Sequence, residues 1–144
     1  MRTKQIVFTK PYTAELLEVD NRNPGRDEVT VDLEFSAISS GTERANLIGM
    51  QNTTSRGSDE APTFPRCWGY SAAGIVSAIG EGVDDLEIGD RVIVFWGNHK
   101  KNITMNRKYI AKIPDGVSME EASMAFISTF PLAAIRKARL EIGE

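Results

Sequence analysis

His99 is the only histidine in the chain. An imidazole titrating near neutral pH can donate a proton to a substrate, although a structural hydrogen bond is the commoner fate of a lone histidine. Cys67 is the only cysteine, which excludes an internal disulfide and an all-cysteine metal centre and suits a reducing compartment. Its ordinary role is simple burial. Tyr70 carries a phenol that stays protonated near neutral pH, and that hydroxyl could donate to a carbonyl. The plainer alternative is a packed tyrosine whose hydroxyl is satisfied by backbone. Glu43 reads as a carboxylate that pairs with Arg44 or caps backbone amides. Trp68 and Trp96 could wall a substrate cleft together with His99, and core packing explains the two indoles equally well.

Such groups need a rigid frame. The chain has 144 residues, of which 41% are apolar and 26% charged, the balance of one soluble globular domain. Seventeen basic residues against 20 acidic ones give a net charge of -3, without the basic excess of a phosphate-neutralising nucleic-acid binder. No apolar run approaches the roughly 20 residues of a membrane span, and the polar start Met1-Arg2-Thr3-Lys4-Gln5 does not look like a secretion signal. The expectation is a cytoplasmic protein with neither a nucleic-acid nor a membrane partner.

Strand signals dominate from residue 5 to about 113. Val29, Val31, Leu33 and Phe35 alternate with polar residues, the period of two that marks a half-buried strand. Similar runs at Gln5–Thr9, Ala14–Val19, Ala73–Ile79, Arg91–Phe95 and Tyr109–Ile113 predict a small barrel or sandwich. Gln51–Thr63 has no periodicity and reads as a long exposed loop. After Pro114-Asp115-Gly116, Ser118 and Glu121 form a reciprocal helix cap. The spacing predicts a helix from about Met119, a break near Ser128–Phe130 ahead of Pro131, and a second helix through Leu140 with Gly143 as its stop.

Four segments share an order and spacing with a known family: Ile38-Ser39-Ser40-Gly41-Thr42-Glu43, Gly69-Tyr70-Ser71-Ala72-Ala73-Gly74-Ile75-Val76, Ile88-Gly89-Asp90-Arg91-Val92 and Ile113-Pro114-Asp115-Gly116-Val117-Ser118. Together they resemble the N-terminal half of medium-chain alcohol dehydrogenases. The resemblance covers nearly the whole chain and implies a mainly β, GroES-like β-barrel catalytic domain over residues 1–144 with C-terminal helices. It also implies a nucleotide-binding Rossmann domain that this sequence lacks, since no Gly-x-Gly-x-x-Gly occurs in it. NAD(P) would reach the site through that missing domain, and hydride transfer by this chain alone is not expected.

The resemblance places Ser40 and Tyr70 where zinc members carry a metal cysteine and a metal histidine, and the region of Ala125, followed by Phe126, at the third ligand. Hydroxyls and hydrocarbon replace thiolate and imidazole, so no zinc is expected. Tyr70, with Thr42 and Ser40, then becomes the implied catalytic group, and Thr42 and Thr129 the implied nicotinamide contacts. For Thr129 the plainer alternative is a helix cap. The implied substrate is a small alcohol, carbonyl or activated alkene, and a homodimer is compatible with the family. The competing reading is a free-standing GroES-like binding or assembly module without chemistry. A small nucleic-acid-binding barrel is disfavoured by the acidic balance.

Overall fold

In the computed structural model, residues 1–50 and 62–139 are described. The chain runs through β1 (Arg2–Lys10), β2 (Thr13–Asp20), β3 (Glu28–Ala37), α1 (Ser40–Ile48), β4 (Ser71–Ile79), β5 (Arg91–Phe95), β6 (Asn102–Asn106), β7 (Ile110–Lys112), α2 (Met119–Ser123) and α3 (Ala125–Ala138). This is the mainly β fold with a helical C-terminal end that the sequence predicts. Five strands form one antiparallel sheet in the order β6-β3-β4-β5-β7, and β1 pairs with β2 as a separate hairpin. The hairpin is joined to the rest by bridges from Gln5 to Lys100 and from Phe8 to Arg66. Among the described residues the ring of strands is therefore open rather than a closed barrel.

The apolar positions of β3 explain why this sheet holds. Val29 and Val31 are fully buried against Ala72, Val76, Val92, Val94 and Ile103. β-branched side chains suit such a half-buried pleated face. A second, smaller cluster of Ala73, Ile113 and Ala122 packs α2 against the other face of β4. β4 can be covered on both faces because it begins Ser71-Ala72-Ala73-Gly74, all buried. Gly74 lies opposite Leu33 in the β3 pairing, and a Cβ there would stand 2.2 Å from the backbone oxygen of Asp32. Only glycine admits that approach.

The capping box is present: Ser118 Oγ accepts from the Glu121 amide at 3.2 Å, and Glu121 Oε2 accepts from the Ser118 amide at 2.9 Å. The helical break differs from the expected one. It falls at Met124, with φ -86 and ψ -6, not at Ser128–Phe130, and α3 runs through Pro131 to Ala138. Beside the break the helix end is tied to the sheet: Ser71 Oγ on β4 donates to the Ser123 carbonyl at 2.5 Å. Pro131 lies inside α3, and in the turns before it the Ser128 and Thr129 hydroxyls bond back to the Met124 and Phe126 carbonyls at 2.9 and 2.6 Å. α3 ends with Arg139 in the left-handed region at φ 55, ahead of the expected stop. Leu140, Gly143 and most of the expected 51–63 loop lie outside the described residues. Replacing Gly74 by Ala is expected to lower stability by about 1–3 kcal/mol through forced separation of β3 and β4. A urea titration checks this, and an unchanged midpoint would refute the close approach.

Candidate active site

The site grows from the end of β3. Ser39 is the N-cap of α1, in extended conformation, and its amide would be an orphan donor of the first helical turn. Glu43 Oε1 accepts from that amide at 2.8 Å. The helix closes at Gly49, left-handed with φ 73, while the Met50 amide bonds the Ala45 carbonyl at 2.9 Å. α1 buries Glu43 and Asn46, both polar, and Asn46 Nδ2 donates to the Thr42 carbonyl at 2.8 Å.

The second oxygen of Glu43 faces His99, with Nε2 to Oε2 at 2.7 Å, and the two side chains are only 6% and 7% exposed. A carboxylate can only accept, so Nε2 carries the hydrogen, and Nδ1 meets Ser36 Oγ at 2.8 Å. Glu43 thus pairs with His99 and caps an amide; no ion pair joins it to Arg44 among the described residues. His99 reaches this position from a strained turn in which Trp96, Asn98 and His99 all have positive φ, at 69, 53 and 45. The turn rests on Gly69, whose φ is +123 and whose added Cβ would stand 2.7 Å from His99 Cδ2. Glu43 and His99 line an open pocket of about 310 Å³ whose apolar walls include Ile6, Phe8, Ile38 and Leu47.

Tyr70 lies on the other side of Ser39. Its ring is buried at 8% exposure, and its hydroxyl donates to Ser39 Oγ at 2.5 Å. The partner is a side-chain hydroxyl, not backbone. Three aromatic rings meet Tyr70 edge-on: Phe126 at 5.3 Å, Trp96 at 5.9 Å and Phe130 at 6.2 Å between centroids, a favoured arrangement for ring quadrupoles. Trp68 continues this wall 6.5 Å from Trp96. Trp96 and Phe130 are 44% and 58% exposed, so the phenol sits at the base of a half-open aromatic cup.

The other expected residues fall around this centre. Ser40 is exposed at the first turn of α1, beside Ser39, and Thr42 is half-buried on the same helix. Thr129 is exposed on α3, with its hydroxyl on the Phe126 carbonyl. Among the described residues no hydrogen bond joins Thr42 or Thr129 to Tyr70. Burial raises the pKa of Cys67, partly offset by the nearby charge of Lys100, which keeps the thiol protonated and a poor nucleophile. Burial also lowers the pKa of Lys100, against the opposing effects of Cys67 and Asp20, and its Nζ is held by the Asp20 carbonyl at 3.1 Å and Asn21 Oδ1 at 3.2 Å. Sequence reasoning missed Ser39, Ser36, Phe126 and Phe130 as site residues. The signal for the last two was present as aromatics four residues apart, which share one face of a helix.

The donor set does not fit zinc. Ser40 offers a neutral hydroxyl, the Tyr70 hydroxyl is committed to Ser39, and the region of the third ligand supplies the Phe126 ring pressed against Tyr70. Among the described residues no group of three His, Cys, Asp or Glu could hold a metal ion.

Residues 25–125 match the family model of the alcohol dehydrogenase GroES-like domain. The chain is 31% identical over 107 residues to the synaptic vesicle membrane protein VAT-1 homolog of Rattus norvegicus, covering 73% of this chain and 24% of that protein. Among solved structures, the quinone oxidoreductase from Coxiella burnetii superposes over 100% of this chain and 47% of its own, with a TM-score of 0.81 at 17% identity. The Escherichia coli quinone oxidoreductase, solved in complex with NADPH, covers 94% of this chain and 41% of its own, with a TM-score of 0.75 at 23% identity. The chain thus spans about a quarter of the length of that curated relative and under half of these solved structures. At such identities the structural likeness carries the fold. Replacing Gly69 by Ala should push His99 off Glu43, shift the His99 ring resonances in an NMR spectrum and lower stability by about 1–3 kcal/mol. Unmoved resonances would contradict this reading of the turn.

Proposed function

The chain belongs to the alcohol dehydrogenase GroES-like domain family, and from that premise we propose that it is the substrate-binding catalytic domain of an oxidoreductase that works without zinc. The observation that carries the proposal is the Tyr70 phenol, 2.5 Å from Ser39 Oγ, at the position that resembles a metal ligand. Its substrate is a small alcohol, carbonyl or activated alkene that fits between Trp96, Phe130 and the phenol. The nicotinamide cofactor, when bound, would supply a hydride to a carbonyl or activated alkene, or take one from an alcohol.

Charge developing on the substrate oxygen needs a donor already in place. Tyr70 is that donor. In the resting arrangement its hydrogen points at Ser39, which leaves its oxygen lone pairs free to accept from an alcohol. Rotation of the hydroxyl about its C–O bond turns the same hydrogen toward a carbonyl or enolate oxygen. The rings packed on the buried phenol lower the local dielectric and so strengthen that hydrogen bond. Ser40 follows Ser39 directly and borders the apolar pocket beside Glu43 and His99. Thr42 and Thr129 are the residues of this chain that would approach a nicotinamide ring. The chain's sequence has no glycine-rich phosphate cradle, so the pyrophosphate is held elsewhere and the chain alone turns over little or no substrate.

The test uses the protein in which this chain is joined to a nucleotide-binding domain, assayed by NAD(P)H oxidation with ketones, quinones and enones. Tyr70→Phe should lower kcat by about 10²–10⁴-fold, the range for loss of a general acid, with KM for the cofactor little changed. Unchanged turnover would remove Tyr70 from the chemistry.

A further inference from the structure

The aromatic cup accounts for how Tyr70 is walled, but not for why a glutamate and the only histidine are buried together behind it. Their hydrogen bonds form a path that ends at the phenol. Ser36 Oγ meets His99 Nδ1 at 2.8 Å, His99 Nε2 meets Glu43 Oε2 at 2.7 Å, Glu43 Oε1 accepts from the Ser39 amide at 2.8 Å, and Ser39 Oγ accepts from Tyr70 at 2.5 Å. The path crosses four separate pieces of chain: the end of β3, the start of α1, the turn after β5 and the residue just before β4. Ser39 is its hinge, since one residue presents its amide to Glu43 and its hydroxyl to Tyr70.

We propose that Glu43 and His99 are positioning residues for Tyr70, acting through Ser39, in the reaction proposed above for that phenol. When Tyr70 passes its proton to a substrate oxygen, the phenol O–H bond breaks, the substrate O–H bond forms, and a phenolate remains until water returns a proton. Ser39 is the group that meets that phenolate: its hydroxyl accepts from the phenol and, after rotation, donates to the phenolate. Both roles need Ser39 Oγ to stay within hydrogen-bond distance, at an N-cap whose carbonyl accepts the first helical bond, from the Glu43 amide at 2.9 Å, but whose own amide has no helical partner. Glu43 supplies that restraint by gripping the amide of the same residue. His99 fixes the carboxylate in turn, and the left-handed turn and Gly69 hold the imidazole. A buried carboxylate with both oxygens engaged has little freedom to relax, so the restraint is stiff.

The readout is the Tyr70 phenol itself. In this chain, labelled at the tyrosine ζ-carbon, the Tyr70 resonance reports the hydrogen bond at its hydroxyl without any turnover. Ser39→Ala removes the partner directly and sets the size and direction of the shift. Glu43→Gln, which keeps the shape, and His99→Asn, which keeps a residue tolerant of positive φ, should move the resonance in the same direction although neither side chain touches Tyr70. In the protein joined to its nucleotide-binding domain, both should lower kcat on the order of 10-fold, the scale seen when partners that orient a functional group are lost, with substrate KM little changed. A Tyr70 resonance that stays put in folded Glu43→Gln, while Ser39→Ala moves it, would overturn the proposal, and Glu43→Gln decides the matter should His99→Asn fail to fold. A coupled resonance together with fully active Tyr70→Phe would leave the geometry standing and reject the catalytic reading of the phenol instead.

Discussion

A carboxylate withdrawn from water must find partners for both oxygens, and the site depends on how Glu43 meets that demand. One oxygen takes the first amide of α1 and the other takes the imidazole of His99, 56 residues further along the chain. That requirement fixes the start of α1 against the turn after β5. It also places Ser39, and through Ser39 the hydroxyl of Tyr70. Removing the carboxylate would strand a buried imidazole and an amide at once, at about 1–3 kcal/mol for each unsatisfied group.

The sheet supplies the rest. β4 begins with four small residues, so a helix can lie on one face while the valine core fills the other. Ser71 then ties the end of α2 to β4 beside the break at Met124. From that break α3 sets out in a direction that lays Phe126 and Phe130 over Tyr70.

Much of this was legible in the sequence. Alternating apolar residues announced β3, and Ser118 with Glu121 announced the start of α2. The resemblance implies Tyr70, Ser40 and Thr42 as site residues, and of these Tyr70 is the one with a hydrogen bond to Ser39. α1 was invisible because the residues it buries are Glu43 and Asn46, so no apolar stripe marks it. β6 was missed because one buried residue, Ile103, sits among polar neighbours on an edge strand. Pro131 misled because proline favours a first turn, whereas here it lies in the middle of α3. The Glu43–His99 pair could be listed as two candidates but not joined, since nothing local in a sequence tells which distant imidazole a carboxylate will meet. Gly69 and the positive-φ turn that deliver His99 are visible only as consequences of that meeting.

On the proposal made above, a phenol held by Ser39 takes the place of the zinc ligands that the family resemblance implies. That proposal is tested most directly by metal analysis, using plasma mass spectrometry on protein purified without added zinc and without a metal-affinity tag. The account predicts no stoichiometric zinc. One tightly bound zinc per chain would contradict it and would make His99, Cys67 and Glu43 the ligands to examine.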